Sequence, residues 1–466
     1  MFLICLALCL QINIGQPAQK VDTVVARLNV VNILLDDVAM EHLRCYDDVN
    51  YYDDNNFPYA FTPNIDALCA NGIKFTQYRA MPTCSPTRAS LMTGKYPFQH
   101  GMGVFLSQTT TSRSLIELNK SPAPVFSTLP QQLSHKTVLI GKWHLGSEPD
   151  LNGTMDQHVF DLGFDEWRGT PRNLGGPEGP SPSMGITGGY YNFWWVEGGI
   201  RTQIVDTHAT EHTTDRAIDW LNNNDALFFM CLSFNASHVP LHGVNWPRNH
   251  SGFGSADTGF QNTRTRATLE NLDYHLGRLF SAINFNNTIV ILSGDNGGTS
   301  GSMIIGTKEV RYPTGHPLHE LDDHVSSFST APYDSARFKG TPYDTGTRSP
   351  LMIVVPQSMS LDVSPDDLLD TTDLYSFILS QTLQAKNYSL SEGFRPNGLS
   401  AVKSGHTRAY VRKGNNTLWK LIHFVLTDTF EFYNLTVDPA ETNDLGVGHA
   451  EFGQTQADYS VLLSGL

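Results

Sequence analysis

Four short stretches hold residues whose types and placement can do chemistry together. Asp36-Asp37 follows the run VVNILL, and Asp295-Asn296 follows TIVIL through Ser293-Gly294. Lys142 and His144 come directly after TVLI in Gly-Lys-Trp-His, and His238 lies just beyond LFFMCL. In open parallel sheets, ligands bind beyond the carboxyl ends of the strands. Three carboxylates and one amide oxygen form a hard, oxygen-only donor set that suits Ca²⁺ or Mg²⁺ and not zinc or copper. Singly, each piece has a plainer use. An Asp pair caps helices, Asp-Asn-Gly-Gly makes turns, and a Lys or His at a strand end is solvated. Their coincidence at four strand ends points to one site.

Cys84 opens the stretch Cys84-Ser85-Pro86-Thr87-Arg88, which continues to Thr93-Gly94-Lys95. Pro86 suits the first turn of a helix and Gly94 its end. The cysteine then sits at or just before a helix N-terminus, where backbone amides and the dipole favour an anion. Taken alone, a buried structural cysteine is the commoner use.

The CxPTR segment followed by Thr-Gly resembles the activation motif of the type I sulfatases. The resemblance continues at TPNIDALCANGIKFT (62–76), GKWHLG (141–146), DNGG (295–298), KGTPYDTGTRSP (339–350) and FYNLTVDPAETNDL (432–445), so it runs from about Asn29 to Leu445. It implies that a maturation enzyme oxidises Cys84 to formylglycine, whose hydrate is the nucleophile, steadied by Arg88. Asp36, Asp37, Asp295 and Asn296 would hold one divalent cation, Ca²⁺ ahead of Mg²⁺, with the modified residue 84 also at the ion. Lys142 and Lys339 would bind sulfate oxygens. His144 would take the proton that releases sulfate, and His238, with His242 as its local rival, would aid the leaving alcohol. Asn173, after Gly163-Phe164-Asp165, is the nearest match to a further substrate-binding residue. Two positions depart from the family pattern: Lys95 replaces an Arg, and Asp344-Thr345-Gly346 stands where Glu-Gly-Gly is usual.

The substrate implied is a sulfated small molecule or a sulfated glycan. One competing function is a phosphomonoesterase or phosphodiesterase on the same alkaline-phosphatase-like scaffold; those relatives use Thr or Ser as nucleophile, and Cys84 speaks against it. The other is a non-catalytic sulfated-glycan binder with Cys84 unmodified. A missing metal ligand or lysine would favour that, and none is missing.

Such a site needs strands to carry it. Val30–Leu35, Thr137–Ile140, Leu227–Leu232, Thr288–Leu292 and Leu351–Val355 are continuous apolar runs, as in strands buried on both faces. Between them, Pro63–Ala70 reads as a helix with Thr62 as N-cap, and Thr265–Ile283 places Leu269, Leu272, Leu276, Leu279 and Ile283 on one face. The expected fold is α/β: a large mixed, mainly parallel sheet sandwiched by helices over 28–385, then a small antiparallel α+β domain over 386–466. Tyr410–Arg412, Leu418–Phe424 and Phe430–Leu435 would be three strands of that domain. Long Gly/Ser/Pro/His-rich loops at 170–189 and 297–338 would shape the substrate site.

A chain of 466 residues that is 40% hydrophobic has ample core, which excludes a largely disordered protein. Its net charge of −15 argues against nucleic acid as the main partner. The apolar run at 2–10 is too short to span a bilayer and reads as part of a signal peptide over 1–18. That implies the secretory pathway, in an extracellular or lysosome-like compartment, without stable membrane insertion. Sequons begin at Asn119, Asn152, Asn235, Asn249, Asn286, Asn387, Asn415 and Asn434. Cys5 and Cys9 would leave with the signal. Cys45, Cys69, Cys84 and Cys231 have no CxxC spacing, so neither a zinc site nor a disulfide scaffold is indicated.

Overall fold

A computed structural model describes residues 27–49, 60–106, 115, 126–146, 154–174, 189–239, 261–299, 337–395 and 405–465. The apolar run at 2–10, the sequons at Asn119, Asn152 and Asn249, His242, and most of the 170–189 and 297–338 loops lie outside the described residues.

Nine strands form the main sheet: β1 (Asn29–Leu35), β2 (Ile73–Phe75), β4 (Lys136–Lys142), β5 (Glu166–Thr170), β6 (Asn192–Glu197), β7 (Ile200–Val205), β8 (Phe228–Ser233), β9 (Thr288–Gly294) and β10 (Leu351–Val354). Their order is β2-β10-β9-β1-β8-β4-β5-β6-β7. The central five, β9-β1-β8-β4-β5, are parallel; β10 and β6 run antiparallel to their neighbours. Outside this sheet, β3 (Tyr78–Arg79) pairs with β11 (Leu369–Asp370).

Alternation explains the continuous apolar runs. Val30 and Leu34 pack on one face with Leu139, Phe229 and Ile291, while Val31, Ile33 and Leu35 pack on the other with Ile140, Met230 and Leu292. Both faces are covered, so nearly every position is apolar; Asn32, fully buried in β1, is that strand's exception. Helix α1 (Pro63–Asn71) and helix α4 (Gln261–Ala282) lie on the second face, together with α3 (Ala209–Asn222). Leu269, Leu272, Leu276 and Leu279 are fully buried there, as their spacing required.

Thr62 makes no capping hydrogen bond to α1. Asp273 of α4 does that work, accepting from the amides of Asn64 (3.2 Å) and Ile65 (2.8 Å).

The C-terminal sheet has four antiparallel strands rather than three: β12 (Tyr388–Arg395), β13 (Gly405–Gly414), β14 (Thr417–Phe424) and β15 (Thr429–Asn434). Helix α6 (Phe452–Gly465) covers it. β12 escapes a sequence reading because Ser389, Ser391 and Glu392 are polar yet buried. The same core takes in Met81 and Tyr96, which flank helix α2 (Cys84–Thr93). Helix α5 (Thr371–Ser380) packs on α2 from the other side.

Cys45 and Cys69 form a disulfide across 24 residues, a pairing that their spacing did not indicate. Among the described residues, no helix is long and apolar enough to cross a membrane.

Candidate active site

Register brings the two acidic turns together. Leu35 pairs with Gly294, so Asp36 and Asp295 leave adjacent parallel strands side by side. Asp37 turns into the left-handed region (φ 61°), and its amide donates to Asp295 Oδ1 at 3.3 Å. Asn296 Nδ2 donates to Asp37 Oδ1 at 2.9 Å. On the other flank of β1, the turn after β8 is tied to it: the Ser237 amide donates to the Asp36 carbonyl at 2.7 Å.

Lys142 is delivered by β4. Gly141 has φ +100° and lies so close to β8 that a Cβ would stand 1.9 Å from the Ser233 carbonyl oxygen, so only glycine fits. The Lys142 ammonium donates to Asp36 Oδ2, and the Lys339 ammonium donates to Asp37 Oδ1.

Helix α2 starts at Cys84 and ends at Gly94 in the left-handed conformation (φ 65°), both as expected. All ten of its residues are buried. Cys84 Sγ lies 3.4 Å from Asp36 Oδ1 and accepts from Lys339 Nζ at 3.2 Å. Arg88, one turn on, donates through Nε (3.1 Å) and Nη2 (2.8 Å) to Asp295 Oδ2, and through Nη1 to Ser233 Oγ (2.6 Å) and the Lys142 carbonyl (3.1 Å). It ties α2 to β4, β8 and β9.

His144 is buried with φ 60°; its Nε2 meets the Leu106 carbonyl at 3.0 Å, and its Nδ1 has no partner among the described residues. His238 Nε2 lies 3.9 Å from Asp37 Oδ2. Asn173 falls on the described stub of the 170–189 loop, its Oδ1 buried and without a partner among the described residues.

The electrostatics follow from crowding charge in a dry site. Burial raises the Asp36 carboxyl, but Lys142, His238, Arg88 and Lys339 outweigh it and hold the group well below the usual carboxylate range. Burial, then the charges of Asp295 and Asp36, push the Cys84 thiol far above its ordinary value. Burial, with Lys142 and Arg88, holds the His144 imidazole well below 6.5, hence neutral. Burial also lowers His238, against Asp36 and Asp37. Burial opposes the Lys339 charge, yet Asp37 more than restores it.

Donor atoms of Asp36, Asp37, Cys84 and His238 all lie within 4.8 Å of one another. Asn296 Oδ1 is buried beside them with no hydrogen-bond partner among the described residues, an oxygen that needs a donor or a cation. Two carboxylates and this amide oxygen fit a hard divalent ion. Asp295 stands outside the four-residue group, its oxygens meeting Arg88 and the Asp37 amide.

Three contributors were not foreseen. Ser85 Oγ donates to the His144 carbonyl (2.9 Å) and accepts from the Leu106 amide (3.0 Å). Ser233 holds Arg88. Asn235 is buried and donates to Thr170 Oγ1 at 3.1 Å, so its sequon cannot carry a glycan in the folded chain. Serines and asparagines are too common at strand ends to mark a site by type alone.

A family model described as Sulfatase matches residues 28–382. N-acetylgalactosamine-6-sulfatase of Canis lupus familiaris is 24% identical over 345 residues, covering 65% of this chain and 61% of that protein. The chain thus spans about three fifths of the length of that curated relative. Among solved structures, Ps i-CgsB in complex with k-i-k-neocarrahexaose matches with TM-score 0.66 and 19% identity over 94% of this chain and 92% of that one. A protein in complex with its substrate D-glucosamine-2-N,6-O-disulfate matches with TM-score 0.57 and 18% identity over 94% and 97%. At these identities the structural likeness speaks to fold alone. The family model covers most of the strands whose ends converge on Cys84, and on that match the chain belongs to the sulfatase family.

Proposed function

We infer that this chain hydrolyses sulfate monoesters through residue 84 after its oxidation from cysteine to formylglycine, beside one Ca²⁺ or Mg²⁺. The observation that carries this is the setting of Cys84. Its thiol is buried between Asp36 and Lys339, and burial with the neighbouring carboxylates pushes it far up. A thiol held protonated is a poor nucleophile. An aldehyde hydrate at that carbon supplies two hydroxyls, one to attack sulfur and one whose oxygen keeps the carbon when sulfate is expelled.

The chain's own groups divide the remaining work. Lys339 and Lys142 offer positive charge to sulfate oxygens; Lys142 is fully buried and Lys339 half-buried, so water screens both less than at the surface. His144, neutral, takes the proton from the hydroxyl that expels sulfate. His238 serves the leaving alcohol. Asp36, Asp37 and Asn296 Oδ1 hold the cation, with Asp295 beside them and fixed by Arg88. The cation supplies Lewis-acid charge at the sulfate. Asn173, whose Oδ1 is buried and without a partner among the described residues, is assigned to a substrate hydroxyl.

A sulfated sugar is the substrate class favoured by the relative named N-acetylgalactosamine-6-sulfatase and by the neighbour with glucosamine disulfate as substrate. The Cys45–Cys69 disulfide supports an oxidising, secretory compartment, where a maturation enzyme would meet the chain. The family model ends at 382, in keeping with a catalytic part over 28–385 and a small C-terminal domain over 386–466.

The test is the residue itself. Trypsin should release Ala80–Arg88 from the denatured protein made in a host able to perform the oxidation. Mass spectrometry should show that peptide with sulfur lost and a carbonyl gained, and Cys84→Ala should be inactive. Sulfate-ester hydrolysis by a preparation holding only free Cys84 would overturn the mechanism.

A further inference from the structure

Lys339 is carried by a segment with no regular structure of its own beyond the short helix at Asp344–Thr347. Its amide donates to the Gly298 carbonyl (3.0 Å), and the Gly340 amide donates to the Pro82 carbonyl (2.8 Å), two residues before Cys84. These bonds join the segment to the acidic turn and to the start of α2. What holds its far side is a buried set of charges that the chemistry does not use.

Asp344 sits at the centre of that set. Arg79, just upstream of Cys84, grips it through Nε (3.0 Å) and Nη2 (2.8 Å). Lys420 of β14 donates to it at 2.8 Å and pairs with Glu441 at 2.7 Å. Glu441 Oε2 accepts from the Asp344 amide at 2.7 Å, and the Glu441 carbonyl accepts from the Arg337 guanidinium. Arg337 itself lies over the Tyr343 ring at 4.2 Å. Arg79 and Lys420 are fully buried, and Asp344 and Glu441 nearly so. Arg348 and Glu41 are buried beside them and act on Asp344 as well, so each buried charge has an opposite one near it, which is the condition under which buried charge is tolerable. Arg337 and Asp344 flank Lys339 on either side; Arg337 ends on Glu441 in the segment after β15, and Asp344 on Lys420 of β14 and on Arg79 of the strand leading to α2.

We propose that Glu441 and Lys420 are positioning residues for Lys339, setting the distance between its ammonium and residue 84 through Asp344 and Arg337. This rests on Lys339 being a sulfate-binding lysine. The C-terminal sheet then contributes to the site without touching substrate.

The test compares wild type, Lys339→Ala, Glu441→Gln, Lys420→Met and the rescue variant Lys420→Arg, with Phe452→Leu as a control that weakens the C-terminal core away from the charges. Inorganic sulfate binding is read by calorimetry, and kcat and KM are read on 4-nitrophenyl sulfate. Glu441→Gln and Lys420→Met should weaken sulfate binding about tenfold, and Glu441→Gln added to Lys339→Ala should cost almost nothing further, as coupled residues do. Lys420→Arg should recover part of the loss, and Phe452→Leu should lower the melting temperature alone. Losses that add in the double variant, or sulfate binding unchanged in a folded Glu441→Gln, would overturn the proposal. If the wild type neither binds nor hydrolyses sulfate, the sulfatase activity itself falls. Positioning is then decided by crystal structures of Glu441→Gln or, should that not fold, Lys420→Met. Displacement of Lys339 Nζ from residue 84 supports it, and an unmoved Lys339 refutes it.

Discussion

Lys142 and Lys339 each donate to one of the paired aspartates, and among the described residues neither carboxylate accepts a hydrogen bond from a second lysine. Lys142→Ala or Lys339→Ala should therefore lower kcat on a generic aryl sulfate by ~10²-fold, the loss typical of one transition-state donor. Asn415→Gln, at the tight turn between β13 and β14, should leave the rate unchanged. Wild-type turnover in either lysine variant would remove it from the mechanism. These two lysines were legible in the sequence because their motifs are specific in type and order. Ser233 was not: it ends an apolar strand like countless other serines, and only the register of β8 against β4 places its hydroxyl on Arg88.

Asp273 shows how an element's stability can hang on another's side chain. It caps α1 from α4, a link spanning some two hundred residues that no local capping signal announces. Burial pushes its carboxyl from the ordinary 3.8 up to about 7, although the hydrogen bonds from Ile65 and Asn64 favour the ionised form. Between those values the folded chain binds the extra proton, so this group makes the unfolding free energy fall as pH rises from about 4 to about 7. Urea melts across that range should show the slope, and Asp273→Asn should flatten it. An unchanged slope in the variant would assign the titration elsewhere. Five strands of the main sheet, β1, β4, β8, β9 and β10, were readable to within two residues, since runs buried on both faces are nearly all apolar; β2, β5, β6 and β7, with mixed or exposed faces, were not read. Nor was β12, because Ser389, Ser391 and Glu392 are polar yet buried: the Ala80 carbonyl takes Ser391, and His406 and Arg408 take Glu392.

Across the fold, one covalent link among the described residues reinforces the packing. The Cys45–Cys69 disulfide closes a loop of 24 residues, worth about 3 kcal/mol by restricting the unfolded chain. Cys45→Ser with Cys69→Ser should lower the denaturation midpoint correspondingly; an unchanged midpoint would show that the link carries no stability. Spacing could not announce this pair, because two cysteines outside any motif have no mark until α1 and the turn before it are placed together.

β1 lies at the middle of the main sheet, between β8 and β9, both made far later in the chain. A ribosome adding roughly 5–20 residues each second needs roughly 10–40 s to travel from Cys84 to the end of β9. Throughout that interval Asp36 has no neighbour in Asp295, and Arg88 lacks the carboxylate that takes two of its nitrogens. The order of synthesis thus acts as a clock: the surroundings that bury Cys84 in the folded chain are complete only after the sheet has its last parallel strand.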